Sequence, residues 1–151
     1  TIYDEDGQEI IRMVATFVLM DRDSRKVHPV EPEIVAPYQS EFSKKLIRGP
    51  KYAELEEAIS KDYHVRFYDL DMNGHVNNSK YLDWIFEVMG AEFLTNHIPK
   101  KINLKYVKEV RPGGMITSSY ELNQLESNHQ VTSDGDINAQ AKITWQKINK
   151  D

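Results

Sequence analysis

The chain has 151 residues, the length of one ordinary domain, with a net charge of −5 and no cysteine. The acidic balance argues against nucleic acid as a partner, and the absence of cysteine excludes disulfides, a thiol nucleophile and thiolate metal ligands. No apolar run approaches the roughly 18 residues that cross a membrane, so no membrane partner is expected, and the lack of cysteine fits a reducing, cytoplasmic location.

The N-terminal third of the chain predicts strands followed by a connector. Residues 9–19 alternate between apolar and polar side chains, which is the period of a β-strand, and "DEDG" before them is typical of a turn. Residues 29–50 contain four prolines and mixed charges, which indicate a connector that crosses a surface. Residues 51–60 fit either a short helix or a continuation of that connector.

A strand, a polar turn and a helix are predicted next. "YHVRFYDLD" at 63–71 indicates a strand that runs into a turn. The helical pattern that follows, "NNSKYLDWIFEVMGAEFL", begins with Asn77 and Asn78, either of which could cap it. Gly90 ends or loosens this helix, and Pro99 stops whatever remains of it. An apolar stripe at i, i+3, i+4 spacing consists of Tyr81, Trp84, Ile85, Val88 and Met89.

The last third of the chain predicts three strands joined by turns. Alternating patterns cover residues 102–110, a stretch that starts at 115, and residues 137–145, with "PGG" and "SDGD" as turns. A run of antiparallel strands with one apolar helix predicts an α+β domain whose sheet wraps around that long helix.

Two segments of the chain are weakly similar to each other. "DGQEIIRMVATF" at 6–17 and "DGDINAQAKITW" at 134–145 each combine an Asp-Gly turn, alternating apolar positions and an aromatic residue. Many hairpins share this pattern by chance. The alternative is a tandem repeat, in which residues 1–20 end one copy and a complete second copy runs from about residue 58 to 151.

The polar segment before the helix is the candidate site. Asp71, Asn73 and His75 alternate, and Gly74 allows a tight bend next to a helix N-terminus, whose free N–H groups polarise a carbonyl. Asp and His together supply a nucleophile or base and a proton carrier for acyl hydrolysis. The alternative is that these residues only form a turn and a cap. One histidine among carboxamides lacks the ligand set of zinc, so no metal or other cofactor is expected.

The segment "DLDMNGHVNNSKYLDWIFE" resembles the signature of the hotdog-fold acyl-acyl carrier protein thioesterases, the plant plastid enzymes and their bacterial relatives. The resemblance implies the hotdog fold, an antiparallel sheet wrapped around one long central helix, and the hydrolysis of fatty acyl-acyl carrier protein (acyl-ACP) thioesters during fatty acid biosynthesis. A shorter form of the pattern also occurs in hotdog thioesterases for coenzyme A esters, which is the alternative function. The matching residues are Asp71, Asn73, His75, Val76, Asn77, Asn78, Lys80, Tyr81 and Trp84.

The resemblance also implies a fourth catalytic residue. The family has a Glu on the strand after the helix, and "YVKEV" at 106–110 places Glu109 in that role, while Val110 stands where plant members have Cys. Asp71 would then anchor the site, Asn73 and His75 would position water and the thioester, and Glu109 would act as general base, directly or through His75. Attack by a carboxylate, Asp71 or Glu109, is the alternative. The carbonyl oxygen would bind backbone N–H groups at the helix start, those of Asn77, Asn78 and Ser79.

The family's two hotdog domains imply an organisation for this chain. Residues 1–30 are expected to be the C-terminal remnant of a first hotdog domain, residues 31–57 an inter-domain linker, and residues 58–151 a complete catalytic hotdog domain. The expected partners are an acyl carrier protein and a second copy of the chain, as a homodimer. An inactive, dimerising hotdog fragment is the non-enzymatic alternative.

A basic stretch beside Glu109 is expected to contribute to docking of the acidic carrier protein. Between residues 100 and 111 five basic side chains accompany this single acid, and a solvated face is the alternative interpretation. The basic residues are Lys100, Lys101, Lys105, Lys108 and Arg111.

Overall fold

The computed structural model describes residues 1–21, 23–24, 26–38 and 48–149. The chain divides into two compact units, Thr1–Arg48 and Gly49–Asp151. Residues 39–47 of the predicted linker lie outside the described residues.

The first unit consists of two small antiparallel hairpins and a helical turn. Its elements are β1 (Ile2–Tyr3), β2 (Glu9–Ile11), β3 (Leu19–Met20), β4 (Val27–His28), α1 (Pro32–Val35) and a 3₁₀ turn at Ala36–Tyr38. β1 pairs with β2 and β3 pairs with β4. The Asp4 carboxylate closes the first hairpin by accepting a hydrogen bond from Gln8 N at 2.7 Å.

The prediction of one continuous strand over residues 9–19 is wrong. Residues 12–18 lie outside any strand, and Met13 and Phe17 are 80% and 88% exposed. A strand persists only where a neighbour completes its hydrogen bonds and a core covers one face. No described residue of this unit is buried, so the alternating pattern finds no such cover within it.

The second unit contains a five-stranded sheet, and every pairing in it is antiparallel. The strands are β5 (Ile59–His64), β6 (His97–Tyr106), β7 (Met115–Asn123), β8 (Glu126–Ser133) and β9 (Asp136–Lys147). They lie in the order β5-β7-β8-β9-β6, so β5 and β6 form the two edges. The remaining elements are a 3₁₀ turn (Phe67–Asp69), α2 (Asn78–Glu87) and α3 (Ala91–Leu94).

Helix α2 packs its apolar stripe against the sheet. All five stripe residues are buried, and Ser118 of β7 donates a hydrogen bond to the Trp84 carbonyl at 3.0 Å. These findings confirm the predicted stripe. Of the two asparagines that could cap the helix, Asn77 does so, because its side chain accepts a hydrogen bond from Ser79 N. The helix ends at Glu87, short of the predicted run to residue 94, and Gly90 then adopts a left-handed φ of 80° before α3.

The strand bounds differ from those predicted at both edges of the sheet. β5 covers Ile59–His64, so it overlaps the strand predicted over residues 63–71 only at its last two residues. Residues 51–58, for which a short helix was one expectation, contain no helix. β6 spans His97–Tyr106 instead of 102–110. It tolerates Pro99 because this is an edge strand and the register shifts there.

One strand, β8, was not predicted. Its inward positions include Ser127 and His129, which are buried although they are polar. The sequence therefore lacks the alternation of apolar and polar residues by which a strand is recognised. Ser127 Oγ and His129 Nε2 share a hydrogen bond of 2.7 Å, and Ser127 Oγ also accepts one from Trp145 Nε1 at 2.7 Å. The turn after β8 was predicted correctly: Asp134 and Gly135 have φ values of 52° and 80°, as a tight Asp-Gly hairpin requires.

Candidate active site

The polar turn before α2 is organised around the Asp71 carboxylate. Asp71 Oδ1 accepts hydrogen bonds from the backbone N–H groups of Asn73 at 2.8 Å and His75 at 3.0 Å. The Asp71 N–H donates to the His75 carbonyl at 2.7 Å, and Gly74 adopts a φ of 75° that favours glycine. Asp71 therefore fixes the backbone from which the Asn73 and His75 side chains project.

The hydrogen bonds of this turn favour an ionised Asp71. The bond from His75 N–H is the largest influence, and together with that from Asn73 it holds the pKa of the Asp71 carboxyl below its usual value. Asp71, Asn73 and His75 are all exposed, so water and a substrate can reach their side chains.

A second carboxylate, that of Asp69, supports the turn from inside the fold. Asp69 is 1% exposed and accepts a hydrogen bond from Arg66 N at 2.7 Å. Burial raises the pKa of Asp69, but the hydrogen bonds and the charge of Arg66 outweigh it and the pKa is lowered. The Asp69 carbonyl accepts from Asn77 N at 2.8 Å, so this residue joins the turn to the helix cap.

The start of α2 offers fewer free N–H groups than the sequence suggests. Ser79 N–H donates to the capping Asn77 side chain at 2.9 Å, and Asn77 N–H donates to Asp69. Of the three donors expected to bind a carbonyl oxygen, Asn78 N–H is the one without an acceptor among the described residues.

Glu109 lies beyond the end of β6, and not on a strand as the resemblance implies. Its side chain is exposed, and its segment is attached to α2 by two hydrogen bonds. Val110 N donates to the Tyr81 hydroxyl at 3.1 Å, and the Tyr106 hydroxyl donates to the Asn78 carbonyl at 2.9 Å. Burial raises the pKa of Tyr81, the hydrogen bond from Val110 N–H opposes this rise, and the charge of Glu109 adds to it.

The turn, the helix start and the Glu109 segment thus meet at one end of α2. Tyr81 and Tyr106 reinforce the junction with an edge-to-face contact, their ring centroids 5.3 Å apart. An anchored carboxylate, an amide, an imidazole and a second carboxylate next to a helix N-terminus provide the groups that hydrolysis of an acyl compound requires.

The structure places two of the five basic residues of the 100–111 stretch on a common face of the sheet. Lys101 and Lys105 alternate with Leu104, which packs on the core, so they point to the other side of the sheet. Lys108 forms an ion pair with Asp136. Lys142 on β9 pairs in register with Asn103, so it lies on the same outer face as Lys101 and Lys105. The sequence alone did not indicate this neighbour.

Two family models match the chain. The model of the acyl-ACP thioesterase C-terminal domain matches residues 52–147, and that of the acyl-ACP thioesterase N-terminal domain matches residues 1–38. The chain belongs to the acyl-ACP thioesterase family. The match over residues 52–147 includes the polar turn, α2 and the Glu109 segment.

Two plant members of the acyl-ACP thioesterase family illustrate the similarity. The chloroplastic oleoyl-acyl carrier protein thioesterase 2 of Arabidopsis thaliana is 29% identical over 141 residues, covering 84% of this chain and 37% of the relative. The chloroplastic palmitoyl-acyl carrier protein thioesterase of Gossypium hirsutum is 25% identical over 146 residues, covering 90% and 35%. The chain therefore spans about a third of the length of these curated relatives.

Solved structures show the same fold. A protein assigned as an oleoyl thioesterase from Lactobacillus plantarum superposes with a TM-score of 0.83 at 30% identity, covering 98% of this chain and 61% of that one. The 12:0-ACP thioesterase from Umbellularia californica gives a TM-score of 0.71 at 21% identity, covering 85% and 53%. The chain has the hotdog fold of these thioesterases, a largely antiparallel sheet with few helices.

Among the described residues, no three His, Asp or Glu side chains come close enough together to hold a metal ion. No helix in the described ranges has the length and apolar character needed to traverse a bilayer.

Proposed function

We propose that this protein hydrolyses fatty acyl-ACP thioesters to a free fatty acid and the carrier thiol, in fatty acid biosynthesis. Membership of the acyl-ACP thioesterase family sets the reaction class. One hydrogen bond supports a catalytic role for this chain. It runs from Val110 N–H to the Tyr81 hydroxyl and joins the Glu109 segment to the helix that follows the Asp71 turn.

In the proposed reaction a water molecule attacks the thioester carbonyl carbon. Glu109, directly or through His75, takes the proton of the water, while Asn73 and His75 orient water and thioester. The carbonyl oxygen gains negative charge, which Asn78 N–H and the positive end of the α2 dipole stabilise. The C–S bond then breaks, the fatty acid leaves, and the carrier thiolate recovers the proton.

Attack by a carboxylate through an anhydride is the alternative, and the turn geometry supports it less for Asp71. The carboxylate oxygen Asp71 Oδ1 accepts hydrogen bonds from two backbone N–H groups of the turn, so nucleophilic use of this carboxylate would loosen the turn. Single-turnover hydrolysis in oxygen-18 water separates the routes. Label in an enzyme carboxylate would require the anhydride and would overturn direct attack by water, which labels the fatty acid alone.

The function is tested with one acyl chain carried either by acyl carrier protein or by coenzyme A. We expect faster hydrolysis of the carrier-protein ester, and about a 100-fold or greater loss of kcat in Glu109→Gln and in His75→Ala, since a general base contributes at least that factor. A preference for the coenzyme A ester would support the alternative thioesterase. No hydrolysis of either ester, with a dimer on a sizing column, would support the inactive hotdog fragment.

A homodimer and a cytoplasmic location remain part of the proposal. The exposed edge strands β5 and β6, and the exposed side chains of Phe67 and Tyr68 beside the turn, support pairing with a second copy. The curated plant relatives are named chloroplastic, and the cytoplasmic location stays a prediction from composition.

The proposed domain assignment places residues 1–30 in a first hotdog domain, 31–57 in a linker and 58–151 in the catalytic hotdog domain, with α2 as its central helix. The two family-model matches and the separation into two compact units support this assignment.

A further inference from the structure

Asn138 occupies an irregular position on β9. Val131 of β8 pairs with Ala139 and Thr132 pairs with Ile137, so Asn138 is the extra residue of a β-bulge. The pairing of β9 with β6 ends with the pair Tyr106 and Ala139, and Ala139 is the residue next to Asn138. The bulge therefore releases the peptide of Asn138 from both ladders, at the point where the chain leaves β6 toward Glu109.

The polar groups of Asn138 hold the segment that carries Glu109. Its carbonyl accepts hydrogen bonds from Val107 N at 2.8 Å and Lys108 N at 3.2 Å. Its side-chain amide donates to the Lys108 carbonyl at 3.2 Å and to the Glu109 carbonyl at 3.3 Å. Ser133 Oγ donates to the remaining amide oxygen at 2.9 Å, which fixes the orientation of the amide.

Such a buried amide is costly unless these bonds form. Asn138 is 1% exposed, so each unsatisfied polar atom would lose its hydration without compensation. Asparagine suits the position because it offers an acceptor to Ser133 and donors to two carbonyls at once. Aspartate keeps the first contact and lacks both donors.

From this geometry we infer that Asn138 is a positioning residue for Glu109. The inference rests on the proposed role of Glu109 as general base. Asn138 fixes the carbonyl of residue 109 from the sheet, and Tyr81 fixes the following N–H from the helix. The exposed carboxylate between these two fixed points thereby has a defined place, and a displacement of about 1 Å at such a group reduces the rate by roughly 100-fold.

A double-mutant cycle tests the inference. Asn138→Asp should lower kcat about 10- to 100-fold with little change in KM, because a misplaced base affects the chemical step. In a Glu109→Gln background the same substitution should cause almost no further loss. A full additional loss in that background would show that Asn138 acts through general stability, and would overturn the inference.

A matched control separates positioning from folding. Ser127 is a buried polar residue at the far end of β8 from the bulge, where its hydroxyl contacts His129 and Trp145. Ser127→Ala should lower the unfolding midpoint without changing kcat of the remaining folded protein. If Ser127→Ala and Asn138→Asp reduce kcat equally at equal loss of stability, the positioning role is rejected.

A readout that needs no activity distinguishes failure of this inference from failure of the proposed function. Amide hydrogen exchange at Lys108, Glu109 and Val110 should accelerate in Asn138→Asp and stay near wild type in Ser127→Ala. Unchanged exchange in Asn138→Asp would overturn the inference even in an active enzyme. Accelerated exchange in a protein that hydrolyses no thioester would support the inference that Asn138 holds this segment, and would reject the proposed function.

Discussion

The Tyr81 hydroxyl accepts a hydrogen bond from Val110 N–H at 3.1 Å, and both residues are buried. They are 29 residues apart in the chain, so this bond joins two parts of the candidate site that are distant in sequence. Tyr81 belongs to the buried stripe of α2, and Val110 directly follows Glu109. A core residue of the helix therefore also determines where the proposed base is held.

Replacing Tyr81 with phenylalanine should reduce both stability and catalysis. The substitution keeps the ring but leaves the buried Val110 N–H without an acceptor, which costs about 1–3 kcal/mol of unfolding free energy. We expect lower kcat at conditions where the variant is fully folded, measured beside urea unfolding curves.

Tyr106→Phe is the matched control for that change. Tyr106 is 45% exposed and its hydroxyl donates to Asn78 O, which water can satisfy after the substitution. Its unfolding free energy should change less than that of Tyr81→Phe. Equal losses in the two variants would contradict a special role for the Val110 contact.

Asp71 should act through the backbone of the turn. Asp71→Ala removes the acceptor for two N–H groups, whereas Asp71→Asn keeps an oxygen there, so kcat/KM should fall much further in the alanine variant. Because the pKa of Asp71 is lowered, the carboxylate stays charged at pH values below its usual range. Its contribution is complete above the ordinary pKa of an aspartate and is lost as the pH falls through the depressed pKa.

Asp83→Ala provides the comparison for Asp71. Asp83 is an exposed acid on α2 paired with Lys80 at 2.9 Å, so its removal should leave kcat/KM nearly unchanged. If Asp71→Asn is as inactive as Asp71→Ala, the carboxylate has a chemical role beyond holding the turn, and the nucleophile alternative gains support.

Local patterns in the sequence predicted the parts of the fold that depend on neighbouring residues. The cap at Asn77, the stripe of α2 and the Asp-Gly turn after β8 are each encoded within a few positions. The segment around Asp71 was also recognisable, because its spacing matches a family signature. By contrast, β8 was missed because Ser127 and His129 pair with each other in the core.

The positioning contacts of Glu109 could not be predicted from the sequence. They come from Tyr81, 29 residues before Val110, and from Asn138, 29 residues after Glu109, and they depend on how α2 packs and where β9 bulges. Periodicity also placed Glu109 on a strand, whereas β6 ends at Tyr106. Distant packing overrides local propensity at such places.

The cap of α2 should matter for stability and for the site together. Asn77→Ala removes the acceptor of Ser79 N–H and should cost about 1 kcal/mol, while Asn77→Asp should retain most of the cap. Thermal unfolding monitored by circular dichroism measures this difference. If alanine and aspartate destabilise equally, the side-chain bond to Ser79 is not what stabilises the helix start.

The outer-face lysines should affect binding of the carrier protein without affecting the chemistry. Lys101→Glu combined with Lys105→Glu should raise KM for acyl-ACP and leave kcat unchanged, and added salt should reduce the difference. Lys61→Glu on the opposite edge strand, β5, is the control. An equal rise of KM in the control, or none in the double variant, would remove this face from the docking surface.

His129 should make the fold sensitive to mild acid. It is 2% exposed, and burial lowers its pKa from 6.5 to about 4. Between these two values the unfolded chain binds a proton that the folded chain does not, so stability is complete above pH 6.5 and declines as the pH falls toward 4. The loss over that window amounts to roughly 3 kcal/mol for a shift of this size.

Urea unfolding at successive pH values, followed by tryptophan fluorescence, measures this decline. His129→Gln keeps a polar atom near Ser127 Oγ and cannot titrate, so its unfolding free energy should vary much less between pH 6.5 and 4. His64→Gln, an exposed histidine on β5 of the same sheet, should keep the wild-type dependence. If His129→Gln retains the wild-type slope, the acid sensitivity comes from other groups, because the buried imidazole would then not take up the proton on unfolding.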